Sequence, residues 1–361
     1  MWRLLVLLPR VLPVGSMWTL LVLLSRPLPV GSTRTELHVH LDGATSAATL
    51  LQAAQLRNLS LPWIGIPSAK WQIEALLLAH PGFGAFDVVN DIVGGCEASL
   101  SLAAAAFVDD QASNNITYTE VRYDPFRAAR SAYANSTIQL DAAVRAVQRG
   151  LERGMRRNPG TRVYQLLCAM RSNPAHQCSA VADIAARLRS DTAGGVVGID
   201  LAGDEFFGHD NAPFVACFLR AKEQLGLNTT VHVGETLPWP FPRQHTAADV
   251  YTAVIQMKAD RLGHGYAAAH DATILAAIRN SAVHVEACPT TASGEGSLPA
   301  LAAFKAAHLS FGLSRDDPCM GCSETPRALR VDEQMVVRQL HFTERELARA
   351  HEEAYTHRFG P

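Results

Sequence analysis

Eight short apolar runs, separated by longer stretches with helical spacing, constrain what this chain can fold into more than any other feature. The strand candidates are Glu36–Leu41, Ile116–Tyr123, Arg162–Met170, Val196–Leu201, Asn228–Val233, Arg261–Gly265, His284–Cys288 and Leu309–Ser314. Several read as near-continuous Val/Ile/Leu runs, the pattern of parallel strands buried on both faces. Helical patterns at Ile138–Arg156, Cys178–Leu188, Ala212–Leu225, Ala247–Lys258 and Ala272–Arg279 lie between them. The alternation predicts an α/β fold, a (β/α)8 TIM barrel, with a doubly wound open sheet as the competing arrangement. The stretch Ala44–Ser113 is too long for a simple first crossover. It reads as extra helices inserted after strand 1 that form a lid, with Trp63, Trp71, Phe83 and Phe86 as candidates to line an apolar pocket.

A barrel of this kind gathers its reactive side chains at the C-terminal ends of its strands. The sequence obeys that rule. Asp42, Asp124, Arg171, Asp204-Glu205, Glu235, His264 and Asp316-Asp317 each follow a strand candidate. His38 and His40 sit two apart in an apolar run, so both can point from one face of a strand. Alone, that pair is equally a half-buried strand. Joined by His232 and Asp316, it becomes a set of three imidazoles and a carboxylate that suits one Zn2+ ion. Zinc lowers the pKa of a bound water to about 7. Glu235, His264 and Asp317 are then left for proton transfer and for positioning substrate or water.

The chain of 361 residues, 48% hydrophobic, can bury a large core. A net charge of -2 and no basic stripe argue against a nucleic-acid partner. No run approaches the roughly 20 apolar residues of a membrane span. The seven cysteines are dispersed and do not read as a disulfide framework, and Cys168 and Cys288 read as buried free thiols. Met1–Ser16 and Met17–Ser32 are near-duplicates, identical at 13 of 16 positions. Residues 1–32 are therefore set apart as an apolar leader, and 33–361 as one barrel domain. Arg3, the apolar runs and Val30-Gly31-Ser32 resemble a weak signal peptide. Sequons at Asn58, Asn115, Asn135 and Asn228 lean the same way, toward a secretory location, against a cytoplasmic one.

The strings ELHVHLDG (Glu36–Gly43), YTEVRYDP (Tyr118–Pro125), IDLAGDE (Ile199–Glu205), HVGE (His232–Glu235), RLGHGY (Arg261–Tyr266), EACP (Glu286–Pro289) and DDP (Asp316–Pro318) resemble the adenosine deaminases of the metal-dependent amidohydrolase superfamily. The resemblance runs from about Thr33 to Phe359 and implies a role for each matching residue. His38, His40, His232 and Asp316 would hold one zinc, with His40 also among the substrate contacts. Glu235 would protonate purine N1 while hydroxide adds to C6, and His264 would act as base. Asp317 would bond N7, the Gly203 backbone would meet N3, and Asp42 would bind the ribose. The implied reaction converts adenosine or 2′-deoxyadenosine to inosine or 2′-deoxyinosine and ammonia. The implied partner is a small-molecule substrate, and a monomer is the simplest oligomeric state.

Three departures bear on that expectation. Arg315 stands directly before a zinc-ligand candidate, where a cation aimed inward would oppose the metal. On a strand it should point away from Asp316. Gly82 and Gly84 thin the lid, and the chain ends soon after Phe359, as though a final helix were missing. The first two keep alive an adenosine-binding homologue with weak or no turnover. His284-Val285-Glu286 with Pro318-Cys319-Met320-Gly321-Cys322 mimics the motif of cytidine-type zinc deaminases. His284 falls inside a strand candidate rather than at a helix start, so the match reads as coincidence. A phosphotriesterase-like site would need a strand-end Lys to bridge two metals, and none is present.

Overall fold

The computed structural model describes residues 34–205, 210–235, 246–290, 294–319 and 328–361. The leader and Cys322 lie outside them. Eight strands form one sheet: β1 (Thr35–His40), β2 (Tyr118–Tyr123), β3 (Arg162–Met170), β4 (Val196–Ala202), β5 (Asn228–Val233), β6 (Arg261–His264), β7 (His284–Ala287) and β8 (Phe311–Leu313). They lie side by side in chain order, every ladder parallel. Residues just after β8 return to β1. Val39 and Asp316 form a parallel bridge, the His40 N–H donates to the Asp316 carbonyl, and the Asp316 N–H donates to the His38 carbonyl, each bond 3.0 Å long. The Ser314 hydroxyl accepts from the Leu37 and His38 N–H groups. This closes the sheet into the barrel and excludes the open sheet.

Strands β2, β4 and β5 are buried along nearly their whole length. β4 (VVGIDLA) accordingly reads as mainly apolar, whereas β2 and β5 carry buried polar residues, Glu120 and Arg122 on one and Thr229, Thr230 and His232 on the other. β1 carries a bulge between Glu36 and Val39. Such an extra residue re-aims the side chains on either side of it. Leu37 joins an apolar cluster with Tyr118, Tyr164, Leu166, Val197 and Ala354, while His38 faces Glu286.

Four helices fill the predicted insertion: α1 (Ala47–Leu56), α2 (Lys70–Leu78), α3 (Phe83–Val93) and α4 (Glu97–Ser113). Ser46 caps α1 by accepting from the Thr49 N–H. Of the aromatics assigned to a lid pocket, Trp63, Trp71 and Phe83 are exposed (85%, 66% and 60%). Only Phe86 turns toward the barrel, its ring 6.4 Å from His40. Helices α5 (Leu140–Arg157), α6 (His176–Leu188), α7 (Val215–Glu223), α8 (Thr246–Tyr251) and α9 (Ala272–Asn280) follow their strands as expected, and α10 (Gly294–Ala306), for which the sequence offered no named pattern, follows β7.

Two helices, α11 (Leu329–Leu340) and α12 (Glu344–Thr356), follow β8, and α12 packs on β8 and β1. One sequence reading is corrected. The dispersed cysteines do include one pair, Cys178–Cys217, which joins α6 to α7. Cys168 and Cys288 are both buried, as expected. Among the described residues, no single helix is long and apolar enough to cross a membrane.

Candidate active site

The strand ends bring the four proposed ligands together. One ligand atom each from His38, His40, His232 and Asp316 lies within 4.8 Å of the others. The Nε2 atoms of His40 and His232 are 3.0 Å apart. Asp316 Oδ1 is 3.2 Å from His38 Nε2 and 3.5 Å from His40 Nε2. Gly263 makes room, since a Cβ there would sit 2.7 Å from His38 Cε1.

Each inner imidazole is braced from behind. The Glu286 carboxylate is 2.9 Å from His38 Nδ1, and Asp200 is 2.9 Å from His232 Nδ1. Such carboxylate partners fix the tautomer and present Nε2 as a lone pair. Arg122 bridges Asp200 (3.1 Å) and Glu286 (2.7 Å). Arg261 bridges Glu286 (2.7 Å) and Glu120 (2.6 Å), and all five side chains are fully buried. Glu120, Asp200, Glu286 and Asp316 outnumber Arg122 and Arg261 by two charges. A buried surplus of that size is costly unless a cation offsets it, and a divalent ion offsets it fully. The donor set and its charge therefore fit zinc.

Protonation follows from the same surroundings. Burial and its histidine neighbours hold His40 and His264 well below the usual imidazole range. Burial also lowers His232, against the pull of Asp200. His38 goes the other way: burial and Arg122 oppose its charge, but Asp316 and Glu286 outweigh them and raise it. Burial drives Glu235 up to about 8, with the Asp316 and Glu205 carboxylates pushing in the same direction. A third of its side chain still faces solvent at the barrel mouth. Glu235 Oε2 is 3.7 Å from His264 Nε2, which is 3.8 Å from Asp316 Oδ2. A neutral carboxyl that can give a proton thus stands beside a neutral imidazole that can take one.

The remaining candidates surround this centre. Asp317 follows Asp316, and Gly43 lies so close to its carboxylate that a Cβ would sit 1.8 Å from Oδ1. Asp42 accepts from Asn90 Nδ2 at 2.8 Å and from the Gly43 N–H at 3.1 Å, and burial raises its pKa. Gly203, just beyond β4, holds a φ of 100°. Phe86 near His40 is all that the lid's four named aromatics bring to the site.

Sequence reading gave the supporting residues no role, although it placed Arg171 and Glu205 at strand ends. Asp200 and Glu286 lie inside quoted strings without an assigned role; their signal was a carboxylate in the middle of an apolar strand. Glu205 accepts from the Gly234 and Glu235 N–H groups at 2.9 Å each and so fixes the backbone under Glu235. Arg171 donates to the His232 carbonyl and to Asn211. Arg315 does point away from the metal cluster. It pairs with Glu36 (2.9 Å) and with Asp110 of α4 (2.7 Å), so its charge is spent outside the site. In the cytidine-deaminase-like string, His284 bonds Ser310 and stacks on His357, whereas Glu286 braces His38. These two do not share a site.

This architecture agrees with known proteins. An adenosine deaminase from Bos taurus is 33% identical over 91% of this chain and 90% of its own length. One from Mus musculus is 30% identical over 91% and 93%. Among solved structures, an amidohydrolase from Burkholderia ambifaria with bound Zn aligns with a TM-score of 0.74 at 20% identity, covering 91% of this chain and 86% of that one. An adenine deaminase from Arthrobacter aurescens aligns with a TM-score of 0.73 at 18% identity, over 92% and 95%. The family model described as adenosine deaminase matches residues 33–361, and the chain therefore belongs to the adenosine deaminase family.

Proposed function

We propose that the chain is a zinc-dependent hydrolase that deaminates adenosine and 2′-deoxyadenosine, releasing ammonia and the corresponding inosine. The observation that carries this reading is the convergence of His38, His40, His232 and Asp316 beside a raised Glu235 and a lowered His264. His38, His40, His232 and Asp316 would hold a single zinc. Zinc bound there supplies an oxygen nucleophile from water at neutral pH.

The chain's own residues do the rest. Glu235, protonated at neutral pH, donates to purine N1, so the ring takes up the electron pair displaced as oxygen bonds to C6. His264, a neutral imidazole, takes the proton given up by the attacking water. Asp317 orients the purine through N7, the Gly203 N–H meets N3, and His40 lies against the reacting edge. Asp42, held by Asn90, binds the ribose. The C6–N bond then breaks: the amino group leaves as ammonia with the proton held by His264, and the C6 hydroxyl becomes the carbonyl as its proton returns to Glu235.

Arg315 no longer supports an inactive binder, because Glu36 and Asp110 neutralise it away from the metal. The test is a substrate panel followed by ultraviolet absorbance: adenosine, 2′-deoxyadenosine, adenosine monophosphate and adenine. Turnover of the two nucleosides well above the others is expected. Preference for the monophosphate or the free base would overturn the substrate assignment.

A further inference from the structure

We infer that this protein is a secretory glycoprotein, with N-linked glycans at Asn58, Asn115 and Asn135, none at Asn228, and a Cys178–Cys217 disulfide. This is independent of the reaction proposed above.

Four Asn-x-Ser/Thr sequons occur, and the fold treats them differently. Asn58, Asn115 and Asn135 are exposed. Each sits in a turn with its N–H bonded three residues back, to Gln55, Ala112 and Ala132 respectively. Each has a positive φ (51°, 56° and 44°), a turn conformation in which Asn is enriched. Among the described residues, no side-chain hydrogen bond engages the Nδ2 of any of the three. Asn228 is the opposite case. It opens β5, and its Nδ2 donates to the Val197 carbonyl at 3.0 Å. The hydroxyl residue of that sequon, Thr230, is buried and donates to Glu286 inside the barrel. A glycan on Asn228 would cost a strand contact, whereas one on any of the other three costs none.

The cysteines give a second, separate observation. Cys178 and Cys217 lie on adjacent outer helices with Cα atoms 6.2 Å apart and are bonded through sulfur. That spacing lies within the range a disulfide spans, and such bonds persist in oxidising compartments rather than in a reducing cytosol. The apolar leader, with Arg3 ahead of its first run and Val30-Gly31-Ser32 ahead of the barrel, is the address that would take the chain there.

Both reactions balance. The asparagine Nδ2 displaces the pyrophosphate of a lipid-linked oligosaccharide at its anomeric carbon. A C–N bond forms, the C–O bond to pyrophosphate breaks, and the amide proton leaves. The two thiols pass two electrons and two protons to an oxidised dithiol exchange protein, which departs reduced.

The experiment expresses the full chain with its own leader in a eukaryotic cell. A parallel arm replaces residues 1–32 with an unrelated strong signal sequence. Peptide mapping before and after treatment with a glycan-removing amidase gives site occupancy, and non-reducing maps give the cysteine linkage. Secretion from the native leader is expected, with three occupied sites, bare Asn228 and a Cys178–Cys217 cross-linked peptide. Single variants Ser60→Ala, Asn115→Asp and Thr137→Ala should each remove one glycan. These changes avoid forcing a bulkier residue into a left-handed turn. An intracellular, unglycosylated chain from the native leader overturns the secretory assignment. In the parallel arm, an occupied Asn228, or bare Asn58, Asn115 and Asn135, overturns the site assignment. Alkylated Cys178 and Cys217 in that arm overturn the bridge.

Discussion

At the scale of single residues, Glu235 acts as an acid in the proposed reaction. It works while protonated, and its carboxyl is raised to about 8 by burial and by Asp316 and Glu205. Turnover per encounter, kcat/KM, should therefore hold through neutral pH and fall about tenfold per pH unit above that value. His264 must be neutral, and burial keeps it so to well below the usual imidazole range. No acid-side loss from His264 is expected near pH 6.5. A pH–rate profile that falls near pH 6 on its alkaline side would contradict the assignment. A second prediction concerns Glu286, which braces His38 and joins Arg122 to Arg261. Glu286→Gln should weaken zinc about 10–100-fold, read by competition with a chelator. The ligands were legible in the sequence because each sits in a short local string, such as ELHVHLDG. Asp200 and Glu286 were not, because a brace is defined by what it touches. Their partners lie 32 and 248 positions away.

At the scale of elements, the eight parallel strands were legible because burial on both faces leaves short stretches rich in apolar residues. β3 and β5 match the sequence reading at both ends. β8 does not: Leu309 and Ser310 precede it and Ser314 follows it, because Ser314 turns its hydroxyl to the β1 backbone. That seam is also where Arg315 acts. Its guanidinium ties Glu36 of β1 to Asp110 of α4, all three substantially buried. Arg315→Ala strands Glu36 in the core and should cost about 3–5 kcal/mol of stability. Urea unfolding measures it. If zinc affinity fell while stability held, Arg315 would be part of the metal site after all. At the N-terminus of α1, Ser46→Ala removes the cap on Thr49 and should cost about 1 kcal/mol.

At the scale of the whole molecule, the barrel interior carries one continuous charged column from the metal cluster to the opposite end. His38 contacts Glu286, Glu286 contacts Arg261, and Arg261 contacts Glu120. The chain terminus closes the column. The Phe359 and Gly360 N–H groups donate to Glu120, and the Phe359 ring lies 3.5 Å below the Arg261 guanidinium. None of this was visible in the sequence. The tail's value lies in contacts with residues 239 and 240 positions earlier. Phe359→Ala uncovers Arg261 and should lower the thermal midpoint while leaving the metal count at one. The central claim is that one zinc and one protonated carboxyl act together on adenosine. The most direct test measures adenosine turnover and bound zinc on the same sample, for the chain and for Glu235→Gln. The account predicts one zinc in both, inosine formation by the first, and a loss of about 10²–10⁴ in kcat in the second. Equal turnover by the two, or turnover without zinc, would contradict it.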